Sequence, residues 1–181
     1  MTIQREAPLK PPLNPPPSPA PTPEQLAAAP ARVRAAYSVL PKRESVVTTL
    51  RQWKTFLITT QAAIEEEIVQ LRKAIADRKE DGYPSVLADD WRLDALCDTL
   101  DAVVNGKSMQ SDFPLLIAQA NLPAAVLAHK TLGTEHIGKH LAAAKVERDK
   151  HRAVIDEWLE TLPTPPTSKH VLRQTTAQRN R

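Results

Sequence analysis

The chain has 181 residues, 41% of them hydrophobic but only 4% aromatic, and a formal net charge of +3. That length admits one modest domain with tails, and an apolar set made mostly of Ala, Leu, Val and Ile suits thin helix–helix seams better than a thick mixed core. The charge is uneven: residues 1–45 hold six basic and three acidic side chains, residues 82–113 two and six, and residues 163–181 four and none, a distribution that disfavours bulk coating of nucleic acid.

Nine of the seventeen prolines lie between Pro8 and Pro23. Residues 1–21 therefore read as an extended, partly polyproline II arm. Arg5, Pro8 and Pro11 have the spacing of a cation and two prolines that an SH3-type groove reads, and a stiff spacer or wrapping arm needs the same composition. Ser18-Pro19, Thr22-Pro23 and Thr164-Pro165 suit proline-directed phosphorylation.

Helix punctuation begins at Thr22-Pro23-Glu24-Gln25, with Thr as N-cap, Pro at the first helical position and Gln closing a capping box. Pro30 interrupts that first helix. A second turn pattern covers 31–40 and stops before Pro41, and Ser45 then caps a long helix reaching about Glu80, roughly 50 Å of axis. Asp81-Gly82 ends it and Tyr83-Pro84 enforces the break. Asp89 or Asp90 caps the next helix, to about Val104, with Leu93, Leu96, Leu100 and Val103 on one face and Asn105-Gly106 as its stop. Short helices follow over 115–120 and 124–132. Thr134 caps the second long helix, which ends near Leu162 before Pro163, Pro165 and Pro166. Alternating β-branched runs and hairpin turns are almost absent.

Leu50, Leu57, Ile64 and Leu71 recur every seven residues, and Ile137, Ala144 and Trp158 fall on the same spacing with Leu141, Ile155 and Leu162 beside them. Such spacing builds a seam against another helix. Ile68 and Ile75 widen the first stripe, as in a globular bundle. The expectation is an all-α protein: two long antiparallel coiled-coil-like helices with a short-helix connector, in a helical domain over 22–162. A proline-rich arm (1–21) and a basic tail (163–181) flank it. A wide stripe with so small a core leaves apolar surface for a second copy or a different protein.

Signatures of chemistry are thin. His136 and His140 lie one turn apart and could chelate a borderline metal, but the residues between them are Ile137-Gly138-Lys139, without the glutamate of a zincin. Glu65-Glu66-Glu67, Glu147 with Asp149, and Asp156, Glu157 and Glu160 read as solvated faces. Four isolated glycines exclude both common phosphate-binding loops. Cys97, the single cysteine, reads as a small buried hydrophobe and fits a reducing compartment.

No apolar run approaches the about 20 residues of a membrane span, and no signal or transit pattern opens the chain. A soluble intracellular protein is expected, cytoplasmic or, in a eukaryotic host, nuclear. Trp53, Trp91 and Trp158 read as packing residues, with Trp53 and Trp158 positioned to meet across the bundle. In the tail, Lys169, Arg173, Arg179 and Arg181 could neutralise a few phosphates, with no aromatic residue to stack on bases.

The leading functional expectation is a non-enzymatic structural or adaptor subunit without a cofactor. Its partner-binding residues would be Leu50, Trp53, Leu57, Ile64, Leu71, Trp158, Arg5, Pro8 and Pro11. The alternatives are a nucleic-acid accessory protein acting through its basic termini, and a metal-binding helical protein centred on His136 and His140.

Overall fold

The computed structural model describes residues 20–82, 87–107 and 112–162. All regular elements among them are helices, and none is a strand: α1 (Pro23–Ala28), α2 (Ala31–Glu80), α3 (Leu87–Asn105), α4 (Phe113–Gln119), α5 (Ala124–Leu127) and α6 (Thr134–Glu160). The protein is all-α. Arg5, Pro8 and Pro11 of the arm, and Lys169, Arg173, Arg179 and Arg181 of the tail, lie outside the described residues.

Local chemistry sets several boundaries as expected. Thr22 caps α1 with a complete capping box: its hydroxyl accepts from the Gln25 N–H, and the Gln25 side chain accepts from the Thr22 N–H. Gly82 (φ +79°) and Gly106 (φ +74°) adopt the left-handed conformation just past α2 and α3, where glycine carries no steric penalty.

Four boundaries differ from the sequence reading. The first long helix does not start at Ser45; α2 is a single 50-residue helix that runs through Pro41. A proline inside a helix removes one hydrogen bond and crowds the preceding turn, at about 3 kcal/mol. Here its ring is exposed, and buried anchors hold the helix on both sides, Val33 and Ala36 before it and Val47 and Leu50 after it. Tertiary burial thus outweighs the local break.

Second, α3 starts at Leu87, before Asp89 and Asp90, which fall in its first turn and not at its cap. Acids there complement the positive end of the helix dipole, and Asp89 also reaches Arg78 of α2 at 2.5 Å. Third, the helix expected over 124–132 stops at Leu127. The chain continues as tight turns, with His129 N–H donating to Val126 and Leu132 N–H to His129. Fourth, Gly133, not Thr134, is the N-cap of α6. A side chain on Gly133 would bring its Cβ to 2.0 Å from the Val104 carbonyl oxygen, so this crossing needs the bare backbone.

α2 is the spine, about 75 Å long at the standard helical rise. Its first half packs on α6 and its second half on α3, while α4 and α5 fill the junction. The main core collects Val47, Leu50, Trp53, Leu57, Ile64 and Ile68 of α2, Ala102 and Val103 of α3, Phe113, Val126, and Ile137 and Leu141 of α6. A smaller cluster of Ala29, Val33 and Trp158, joined by Val154, Leu159 and Leu162, closes the end where the chain enters α2 and leaves α6.

Trp53 is the centre of the junction. It is fully buried, its ring stacks on Phe56 at 5.2 Å and leans on Phe113 at 6.5 Å, and its Nε1–H donates to the Leu132 carbonyl at 2.7 Å. Trp53 and Trp158 do not meet. The start of α6 lies beside Trp53, so Trp158, seven turns further along α6, reaches Val33 instead.

Candidate partner-binding surface

The seven-residue ridge of α2 lies inside the chain. Leu50, Trp53, Leu57, Ile64 and Leu71 are all buried, as is Trp158. The chain's own helices cover these side chains, and they serve as its core. The outer surface is what remains exposed after that seam has closed.

Among the described residues, six large apolar side chains remain on that outer surface: Ile58, Val69, Leu87, Trp91, Leu115 and Val146. Ile58 and Val69 stand eleven residues apart, three helical turns, so they share the face of α2 turned away from the seam. Ala62 and Ala76, both exposed, continue that line. Trp91, 66% exposed, stands one turn beyond Leu87 at the start of α3. The sequence reading placed it among the packing residues. Full burial in α3 is confined to Thr99, Ala102 and Val103, with Leu93, Leu96 and Leu100 half-buried on the same side. α2 still reaches this end through Arg78 and Asp89, and Trp91 is open because it stands on the opposite face of α3. A tryptophan this open is uncommon, and Trp is enriched at the centres of interfaces.

Charged residues frame the apolar ones. α3 carries Asp89, Asp90, Asp94, Asp98 and Asp101 against one cation, Arg92. Arg92 pairs with Glu67 of α2, and Asp89 with Arg78. Asp94, Asp98 and Asp101 are exposed and follow at helical spacing. On the α6 side, Arg32 meets Glu157 at 3.8 Å and Arg152 meets Glu44 at 2.8 Å. The two pairs on the α6 side are solvated and contribute little to stability.

His151 holds the seven-residue position of α6 between Ala144 and Trp158, and it is half-buried. With Arg43 and Lys150 it surrounds Glu147, whose carboxyl is held below its ordinary value, chiefly by the Lys150 ammonium donating to it at 2.6 Å. A polar segment thus interrupts the apolar seam opposite Arg43 and Glu44, close to Pro41.

His136 and His140 are both exposed on α6. Among the described residues no three His, Cys, Asp or Glu side chains gather in a way that could hold a metal ion. His129 lies 3.3 Å from the Thr49 hydroxyl, within hydrogen-bond distance, and is spent on the junction. The acidic triplet is solvated: Glu65 and Glu66 accept from Gln61 and Gln70 one turn away. Cys97 is half-buried against the main core. An open apolar groove of about 300 Å³ lies beside the junction, lined by Gly106, Phe113, Pro114, Ile117, Leu127 and Lys130 among others. No helix among the described residues is long and apolar enough to cross a membrane.

Of the exposed apolar set, only Trp91 had been singled out from sequence. The eleven-residue interval from Ile58 to Val69 and the four-residue interval from Leu87 to Trp91 were the available signals. Comparisons with protein-family models, with curated proteins and with solved structures gave no match for this chain.

Proposed function

We propose that this chain is a non-enzymatic helical subunit or adaptor of a larger protein assembly, binding partner chains through the outer faces of its long helices. One observation carries this reading: after the seam has closed, Ile58 and Val69 on α2 and Leu87 and Trp91 on α3 still face solvent. Scattered apolar side chains on a surface are ordinary, but a pair sharing one face of α2 and a second pair, with an open Trp, sharing one face of α3 favour association.

We read α2 and α6 as an antiparallel, coiled-coil-like pair. Supporting this, Arg32 pairs with Glu157, Glu44 with Arg152, and Trp53 with the Leu132 carbonyl, so contacts climbing along α2 descend along α6. The proline-rich arm, with Arg5, Pro8 and Pro11, adds a second contact of the kind polyproline grooves accept. The tail adds an electrostatic one.

The test is light scattering and affinity purification of the full chain, beside a variant carrying Ile58→Glu and Val69→Glu. The reading expects a stoichiometric partner or a homo-oligomer that the variant loses while its helical circular dichroism is unchanged. A monomer that retains no stoichiometric partner under any condition would refute it.

A further inference from the structure

The described chain begins and ends at the same end of the rod, where Ala29 and Leu162 share one cluster, and the open tryptophan is at the other. Leu162 packs with Trp158 on Ala29 and Val33, so residues 163–181 depart from beside the start of α2. Trp91 sits near the opposite end, because Asp89, two residues before it, pairs with Arg78. From Val33 to Arg78 the α2 axis covers about 68 Å at 1.5 Å per residue. At about 3.5 Å per residue, the greatest reach of an extended chain, Lys169 comes no farther than about 25 Å from Leu162 and Arg173 about 38 Å. Within one molecule Lys169 and Arg173 fall well short of Trp91, and Arg179 and Arg181, at about 60 and about 66 Å, approach it only with the whole segment pulled straight.

The two ends are nevertheless complementary. Residues 163–181 hold Lys169, Arg173, Arg179 and Arg181 and no acid. α3 holds five aspartates and one arginine, and that arginine is already paired with Glu67. Asp94 and Asp98 stand exposed on the helix face that carries Leu87 and Trp91. Opposite charges steer such a contact and fix its register, and the apolar pair gives it a centre that excludes water.

Resting on the adaptor reading above, we infer that the outer face of α3 around Leu87, Trp91, Asp94 and Asp98 docks the basic segment 163–181 of a second copy of this chain. Two copies lying side by side in opposite directions place each basic segment beside the other's α3, so both contacts form in one closed, two-fold dimer. The second contact then forms at the high effective concentration set by the first.

The experiment is analytical ultracentrifugation of the full chain over a range of concentration and salt, with two charge-reversed chains. One carries Asp94→Lys and Asp98→Lys; the other carries Lys169→Glu, Arg173→Glu, Arg179→Glu and Arg181→Glu. The natural chain is expected to dimerise, with a dissociation constant that rises at least about tenfold between low and high salt, since the contacts are exposed charges. Each reversed chain alone should be monomeric, and an equimolar mixture of the two should dimerise again, because the mixed pair restores both oppositely charged contacts. Trp91→Ala should weaken the dimer with its circular dichroism unchanged. A natural chain that is monomeric throughout, a dimer indifferent to both reversals, or a mixture that stays monomeric would overturn the inference. A monomer that still holds a different stoichiometric protein would overturn self-docking while leaving the adaptor reading intact.

Discussion

The two halves of α2 are covered to different extents. Along the first half, α6 buries Ile137 and Leu141 near its start and Ile155 and Trp158 near its end, on either side of the polar segment at Glu147 and His151, and α2 answers with Val33, Ala36, Val47, Leu50 and Trp53. Along the second half, α2 offers Leu57, Ile64, Ile68 and Leu71, but α3 answers fully only through Thr99, Ala102 and Val103, with Leu93, Leu96 and Leu100 half-buried. The first half spends its apolar stripe on itself, and the far tip leaves Leu87 and Trp91 in water. The regular seven-residue ridge, Leu50 to Leu71, runs mostly along the second, less fully covered half, and one step back it lands on exposed Arg43. Regular spacing in one helix therefore does not report how well its neighbour covers it.

Substitutions can break this contrast at chosen places. The largest effect should come from Trp53→Ala at the junction, which removes a fully buried ring and the hydrogen bond to the Leu132 carbonyl. A loss of about 3–5 kcal/mol in denaturant unfolding is expected, with both halves weakened together. Gly133→Ala comes next. Its Cβ would meet the Val104 carbonyl oxygen at 2.0 Å, and relieving that clash should cost about 2–3 kcal/mol, separating α3 from the start of α6.

Pro41→Ala acts in the opposite direction and on the first half alone. Restoring the missing N–H donor inside α2 should raise stability by about 1–3 kcal/mol, read as a higher unfolding midpoint and slower amide exchange around 37–45. Gly138→Ala, in open space on α6, should add about 0.5–1 kcal/mol. Trp91→Ala should leave unfolding unchanged within about 0.5 kcal/mol, because that ring is mostly solvated.

The smallest effect is pH-dependent. The carboxyl of Glu147 is held low by Lys150 first, then by Arg43 and His151. A lowered folded value means that its contribution is in place above the ordinary carboxylate range and is lost as pH falls through it. Glu147→Gln should therefore lower the melting temperature slightly at pH 7 and not at pH 3. A difference that grew on acidification would contradict the assignment.

Much of this architecture is legible in the residues. The capping box at Thr22, the glycines at 82 and 106, and the ridge from Leu50 to Leu71 specify helices, stops and a buried face by local chemistry alone. What the residues conceal is set at long range. Pro41 looks like a terminator because nothing nearby in sequence shows that Val33 and Val47 are both anchored. The chain around Leu132 looks helical because its carbonyl's engagement by Trp53, 79 residues away, has no local signature. Trp91 looks like core because it is large, apolar and only two residues from Leu93; on the helix that step is about 200°, which turns it to the face away from α2. The expected partner residues were legible as a seam, but a seam that closes within one chain has the same spacing as one that closes between two.

Segment-resolved hydrogen exchange of the full chain tests the contrast most directly. Amides over 47–64 of α2 and 99–105 of α3 should be strongly protected, while those over 87–95 exchange at least about tenfold faster at concentrations too low for association and slow down as the concentration rises. Equal protection along all of α3 in the dilute monomer would contradict the account, because it would mean the far tip is already closed without a partner.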